Sequence, residues 1–129
     1  MDGPSRVLLV DDEPALLRMM SMYLGRRGYT VTTASTTDSA WSDAQANPAA
    51  FQVAVLDATM TGLTMEELAL RLLHASPALC VIVASGYPVD MTAMETAAPG
   101  RVMFLHKPFA PEMLAQAVRR MIASQKEEL

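Results

Sequence analysis

The stretch FQVAVLDATMTGLTMEEL, residues 51–68, decides the fold. Its first six residues form a nearly continuous apolar run. That is the pattern of a strand buried on both faces of a parallel sheet, not of one alternating between core and solvent. The run stops at Asp57, passes a turn containing Thr61 and Gly62, and resumes as a helix. Thr64 with Glu67 reads as a capping box, and Leu63 with Leu68 as a hydrophobic staple. The helix start is therefore specified without Asp57, which is left free at the carboxyl end of the strand.

The same strand-then-helix rhythm extends in both directions. RVLLV (6–10), YTVTTA (29–34), LCVIVA (79–84) and RVMFL (101–105) are the other candidate strands. The second alternates, with Tyr29, Val31 and Thr33 on one side, which places it at a sheet edge. A first helix over 13–26 presents Leu16, Leu17, Met20, Tyr23 and Leu24 at helical spacing, with Gly28 beyond its end. A second, 37–46, stops before Asn47-Pro48. The last, 111–124, opens on Pro111 and is expected to bury Met113, Leu114, Ala117, Val118, Met121 and Ile122, with the polar tail SQKEEL fraying. Between residues 88 and 100, PVDMTAMETAAPG predicts a short or mobile fourth helix. Five β-α units predict a doubly wound α/β fold with right-handed crossovers and helices on both faces.

Length, charge and cysteine count narrow the class. At 129 residues the chain reads as one domain, 1–129, with a core over about 6–124. A net charge of −4 with no Lys/Arg block argues against nucleic-acid or anionic-membrane binding as the main activity. No apolar run approaches the ~20 residues of a membrane helix, and VLLV meets Asp11 and Asp12 at once, unlike a secretory signal. A cytoplasmic protein is expected. Cys80, the single cysteine, sits in an apolar run and reads as a buried thiol.

Ligands of doubly wound sheets bind outside the carboxyl ends of the strands. There the sequence places Asp11 and Asp12, Asp57, Ser85 and Lys107, all at one rim. Singly, each has an ordinary reading: Asp11 or Asp12 as a helix cap, Ser85 before Gly86 as a turn residue, Lys107 before Pro108 as a surface lysine. Jointly they point to chemistry. Two carboxylates ~4 Å apart repel by about 4 kcal/mol at an effective dielectric of 20. One lysine cannot offset three carboxylates, whereas a divalent cation such as Mg²⁺ (or Mn²⁺) suits an all-oxygen set. With a phosphoryl group present, Lys107 and the cation would neutralise its oxygens, Ser85 could donate a hydrogen bond, and Asp57 could attack phosphorus.

The motifs LLVDDEP, VLDATM, VASGYP and FLHKPF resemble, in order and spacing, the receiver domain of two-component response regulators. The resemblance covers Arg6 to about Ser124. It implies a flavodoxin-like fold with a five-stranded parallel sheet of order 2-1-3-4-5. Asp57 matches the phosphoacceptor, Asp12 a direct and Asp11 a water-mediated Mg²⁺ ligand, and the Thr59 carbonyl a further ligand. Lys107 matches the phosphoryl-contacting lysine, Ser85 the switch hydroxyl and Phe104 the aromatic rotamer switch. Thr59 and Tyr87 occupy the positions that tune phosphoryl lifetime.

The implied partners are a histidine kinase or phosphotransfer protein upstream and a protein target or tethered output domain downstream. The implied assembly is a monomer or a phosphorylation-dependent dimer. Such a protein is a signalling phosphoacceptor and not an enzyme. The phrases ASGYP and HKPF look most like receivers of hybrid sensor kinases or related stand-alone ones.

Two positions depart from the family pattern: Thr61 stands where Pro is usual and Met65 where Gly is usual. Three competing readings are weighed. A haloacid-dehalogenase-like phosphatase shares the residue inventory, but its nucleophile follows the first strand, whereas here Asp11-Asp12 come first. A flavin-binding module would want a phosphate loop where DDEPALL stands. A receiver that folds without accepting phosphate would not need the full charged set. Of the rest, His106 is expected to point away from the site, and His74 to meet a helix dipole. The methionines read as core filler, but Met91, Met94 and Met103 lie near the face of helix four, strand five and helix five that the resemblance implies for signalling, where a few could serve as adaptable partner contacts.

Overall fold

The computed structural model describes residues 5–47, 50–60 and 63–127. Along the chain run β1 (Arg6–Val10), α1 (Pro14–Arg26), β2 (Thr30–Ala34), α2 (Thr37–Ala46) and β3 (Val53–Asp57). They are followed by α3 (Met65–Ala75), β4 (Cys80–Ser85), α4 (Thr92–Ala97), β5 (Val102–His106) and α5 (Pro111–Glu127). The strands form one parallel sheet in the order β2-β1-β3-β4-β5: the doubly wound sheet that the strand–helix rhythm predicts, in the order that the resemblance implies.

Alternate residues of each strand feed two separate cores. Val7, Leu9, Val53, Val55, Cys80, Ile82 and Leu105 pack with Leu17, Met20 and Leu24 of α1 and Leu114, Ala117, Val118 and Met121 of α5. Leu8, Val10, Ala54, Leu56, Val81, Val83 and Val102 face α2, α3 and α4. Because both faces are covered, β1, β3 and β4 need apolar residues at consecutive positions, which is why they read as runs. The edge strand β2 is only partly buried, with Tyr29 and Val31 against the α1–α5 core and Ala34 in the other.

Local signals set the helix ends. α1 stops at Leu24–Gly28, where the N–H groups of Arg27 and Tyr29 both donate to the Leu24 carbonyl. Gly28 adopts φ 95° there, a left-handed conformation that only glycine takes without steric cost. Thr64 caps α3 by accepting the Glu67 N–H at 3.1 Å. The return half of the expected capping box is different: Glu67 Oε1 accepts the Thr64 hydroxyl at 3.3 Å. Met65, buried at the first helical position, fits because negative φ suffices there. The turn over Thr61 and Gly62 lies outside the described residues, as do Pro48 and the last two residues of the tail.

Four expectations are corrected. Met113 is 48% exposed, because Leu114, Ala117, Val118 and Met121 already complete the i, i+3, i+4, i+7 stripe and Met113 falls about 100° off it. Ile122 is half-buried. α5 continues to Glu127, past the expected end at Ser124. Met94 is fully buried, so it fills the core under α4 and is not available to a partner; Met91 and Met103 are half-buried. The fourth helix is short, six residues, as Pro88 and Pro99-Gly100 imply. Asp90 accepts the Thr92 N–H at 3.0 Å at its start; hydrogen bonds from the Thr92 side chain and backbone hold that carboxyl below its usual pKa. Cys80 is buried, its Sγ 3.7 Å from the Met121 carbonyl.

Candidate functional site

β3 and β4 each run one residue further than the apolar pattern alone suggests. Asp57 pairs with Ala84 and Ser85 with His106. The ladder then continues through Ala58 N–H to the Ala84 carbonyl (3.0 Å) and Lys107 N–H to the Ser85 carbonyl (2.8 Å). Asp57 and Ser85 are therefore the last residues of paired strands, and Lys107 is fixed by its own backbone to the neighbouring strand. Asp11 follows Val10, which pairs with Leu56, so the β1 and β3 carboxylates are brought side by side by register. A one-residue slip would send them to opposite faces.

Asp11, Asp57 and Ser85 are almost fully buried, Lys107 is half-buried, and Asp12 is exposed. One carboxylate oxygen from each of Asp11, Asp12 and Asp57 lies within 4.8 Å of the others. Lys107 Nζ donates to Asp11 Oδ2 at 2.9 Å and lies 3.4 Å from Asp57 Oδ1. Burial pulls the lysine pKa down, but the bond to Asp11 and the charges of Asp11 and Asp57 outweigh it. The net result is an ammonium held above its ordinary 10.5. One cation thus serves two buried carboxylates, and Asp12 adds a third negative charge from the solvent side. The set is hard oxygen throughout, open to water on the Asp12 side, which fits a small divalent cation that keeps part of its hydration.

Neither Asp11 nor Asp12 is the cap of α1. Glu13 holds that position without a side-chain cap bond, while Asp11 Oδ1 accepts the Glu13 N–H at 3.0 Å. Asp57 is held from below by Thr59, whose hydroxyl reaches both carboxylate oxygens at 3.2 Å and whose N–H reaches Oδ1 at 3.3 Å. Ser85 is likewise more than a turn residue, since its buried Oγ accepts the Tyr87 N–H at 3.0 Å. The Tyr87 side chain is 72% exposed. Phe104 is half-buried against the α2–α4 core, with its ring centroid 6.3 Å from that of the exposed His106 in an edge contact. His106 therefore lies on the outer side, as strand alternation from Lys107 requires. His74 is exposed in the last turn of α3.

A groove of about 430 Å³ adjoins the charged cluster, lined by Glu13, Leu16, Gly86, Lys107, Pro108 and Phe109. Arg101 escaped the sequence reading, which placed it at the head of a strand. It lies just before β5 and its guanidinium donates to the carbonyls of Leu79 (2.9 Å), Leu73 (3.1 Å) and Ser76 (2.6 Å). Those carbonyls belong to the end of α3 and the approach to β4, so no local sequence signal could have marked the contact.

Known proteins agree with this architecture. Residues 7–119 match the response regulator receiver domain family. The chain is 31% identical over 125 residues to the sensor kinase CckA of Brucella abortus, covering 97% of this chain and 13% of that protein. It is 29% identical over its full length to the C4-dicarboxylate transport transcriptional regulatory protein DctD of Rhizobium meliloti, covering 27% of it. The chain thus spans about a quarter or less of these curated relatives. Among solved structures it is similar to the chemotaxis protein CheY4 of Vibrio cholerae, with TM-score 0.79, 28% identity, and 92% and 99% of the two chains covered. A receiver domain protein of Clostridium thermocellum shares the fold, with TM-score 0.83, 23% identity, and 97% and 99% covered. Among the described residues no helix is long and apolar enough to cross a membrane.

Proposed function

The chain belongs to the response regulator receiver domain family, and from that premise we propose that it accepts a phosphoryl group on Asp57. The donor is the phosphohistidine of a histidine kinase or phosphotransfer protein. The observation that carries this reading is the convergence of a buried Asp57 with Lys107 at 3.4 Å and with the carboxylates of Asp11 and Asp12. A lone buried carboxylate would be poorly placed to meet a phosphoryl dianion; one bordered by an ammonium and a dication site is well placed.

A carboxylate oxygen of Asp57 attacks phosphorus as the phosphorus–nitrogen bond to the donor imidazole breaks. The bonding pair returns to that nitrogen, leaving a neutral histidine once its charge is settled with solvent. Lys107 holds its proton and moves its ammonium from the carboxylates to the phosphoryl oxygens. The Ser85 hydroxyl, which accepts from Tyr87 in the resting geometry, turns to donate to a phosphoryl oxygen. Asp11 and Asp12, with Asp57 and the Thr59 carbonyl, would hold Mg²⁺ or Mn²⁺, which supplies positive charge to the phosphoryl oxygens when bound. Hydrolysis of the acyl phosphate regenerates Asp57. Thr59, already on that carboxylate, and the exposed Tyr87 are the side chains that tune how readily water reaches it.

Movement of Ser85 vacates space beside β5, and Phe104, half-buried there, rotates into it. The repacked face of α4, β5 and α5 then meets a protein target or a tethered output domain, as a monomer or as a phosphorylation-dependent dimer. The shift is one of populations, since phosphoryl contacts favour one arrangement over the other. The short α4 is the element with least packing to lose. The domain, with a core over 6–124, works in the cytoplasm, as a signalling phosphoacceptor and not as an enzyme.

The test is incubation with acetyl phosphate and Mg²⁺, read by intact mass. Wild type gains one phosphoryl group and Asp57→Asn gains none. Equal labelling of both proteins overturns the assignment of Asp57, and no labelling of wild type favours a receiver-fold interaction module. Multiple turnovers of a phosphate ester would instead favour the phosphatase reading.

A further inference from the structure

The two helical layers carry opposite charge. On α1, its C-cap and α5 the described side chains include exposed Arg18, Arg26, Arg27, Arg119 and Arg120 against Glu112. On α2, α3 and α4 the balance is reversed, with exposed Asp38, Asp43, Glu66, Glu67 and Glu95 against Arg71. A net charge of −4 for the chain therefore conceals a basic face. The outer surfaces are separated by more than two helix diameters of roughly 10 Å each. That is well beyond the ~8 Å over which physiological salt screens charge. Each face consequently acts on its surroundings by itself.

The basic face also has apolar relief. Of the four large hydrophobic side chains that are exposed among the described residues, Met19 and Met22 lie on α1 and Met113 on α5. Between these helices is a groove of about 250 Å³ lined by Tyr23, Arg27, Tyr29, Gln116 and Arg119, with Glu112 and Ala115. Arg27 is held there by Tyr23, its guanidinium 4.8 Å from the ring centroid and hydrogen-bonded to the hydroxyl. Arginine, tyrosine and methionine around a shallow groove are the composition of protein interfaces, and a guanidinium fixed on a ring meets a carboxylate with little entropy left to lose.

We infer that the α1–α5 face is a docking surface for a protein partner with an acidic patch. The partner's carboxylates meet these arginines and one of its apolar side chains enters the Tyr23–Tyr29 groove. The charge pattern favours a compact protein over a long polyanion. The basic area is confined to two helices and already contains Glu112, and a duplex or a membrane plane extending past it meets Glu13 and the acidic remainder of the molecule. The acidic layer on the opposite side repels the same partner, so approach is oriented as well as attracted.

The inference does not depend on phosphate acceptance by Asp57. The probe is a fluorescein-labelled synthetic amphipathic helix with glutamates on one flank and leucines on the other, read by anisotropy. It should bind, and lose about tenfold in affinity as salt is raised enough to shrink the screening length several-fold. Arg26→Glu with Arg119→Glu should abolish binding, and the milder Arg27→Gln with Arg119→Gln should weaken it. Asp57→Asn should leave it unchanged. The surface assignment is overturned by absence of binding or by equal affinity for the glutamine version of the peptide. Indifference to the arginine changes, or stronger binding to duplex DNA or phosphatidylserine vesicles, overturns it equally.

Discussion

Lys107 and Asp11, 96 positions apart in the chain, are joined by a 2.9 Å ion pair whose lysine also lies 3.4 Å from Asp57. The pair closes the rim across β1, β3 and β5 and supplies the only cation in contact with two buried carboxylates among the described residues.

Its pH dependence follows from the direction of the lysine shift. The folded-state pKa is raised above the ordinary 10.5, so the contribution to stability is fully present below 10.5 and is lost as pH rises through the raised value. Wild type should therefore lose stability on the alkaline side more steeply than Lys107→Met. At neutral pH in metal-free buffer, Lys107→Met should be less stable by about 3 kcal/mol, because the carboxylates lose their counter-charge. Urea melts at several pH values measure both effects; parallel curves would contradict the pairing.

Divalent cation should stabilise the fold. At a hundred times its dissociation constant, Mg²⁺ should add about 2.7 kcal/mol. Asp12→Asn should lose most of this gain yet be no less stable without metal, since Asp12 is exposed and adds only repulsion to the cluster. Thermal melts with and without Mg²⁺ distinguish the two proteins.

Thr59 should time the signal without deciding it. Its hydroxyl and N–H occupy the Asp57 carboxylate, so Thr59→Val removes a donor while keeping the shape. Labelling by acetyl phosphate should still map to Asp57, with the decay rate changed several-fold, and Thr59→Ser should restore the wild-type decay. Unchanged decay in both variants would remove Thr59 from the site.

Arg101 should matter for stability alone. Three carbonyls lose a charged donor in Arg101→Met, and a hydrogen bond to a charged group contributes about 1.5–3 kcal/mol. Chemical denaturation should show a loss of about 3 kcal/mol. The folded fraction should still be labelled at Asp57, because the clamp lies at the opposite end of β4 from Ser85.

The fold was legible because its instructions are local and repeated. Largely apolar runs of four to six residues ending in polar side chains marked β1, β3 and β4, and Thr64, Pro111 and Gly28 marked helix ends by stereochemistry that any short segment carries. Rim placement followed from their standing at the carboxyl ends of parallel strands, so Asp11, Asp12, Asp57, Ser85 and Lys107 could be grouped before any distance was known. Met113 was misread because helical spacing fixes a stripe only to within one residue, and packing chooses which neighbour is covered.

What the sequence determined by itself was the set of strands, the helices between them and the identity of the charged residues at the strand ends. Tertiary structure decided how those charges are shared. Parallel register puts Lys107 on Asp11 more closely than on Asp57, lets Thr59 grip the Asp57 carboxylate, and aims Arg101 at carbonyls more than 20 positions away. It also sorted the arginines and carboxylates onto opposite layers, because each crossover sends its helix to one side of the sheet or the other. These are relations between segments distant in sequence, fixed by sheet pairing and helix packing, and no local pattern encodes them.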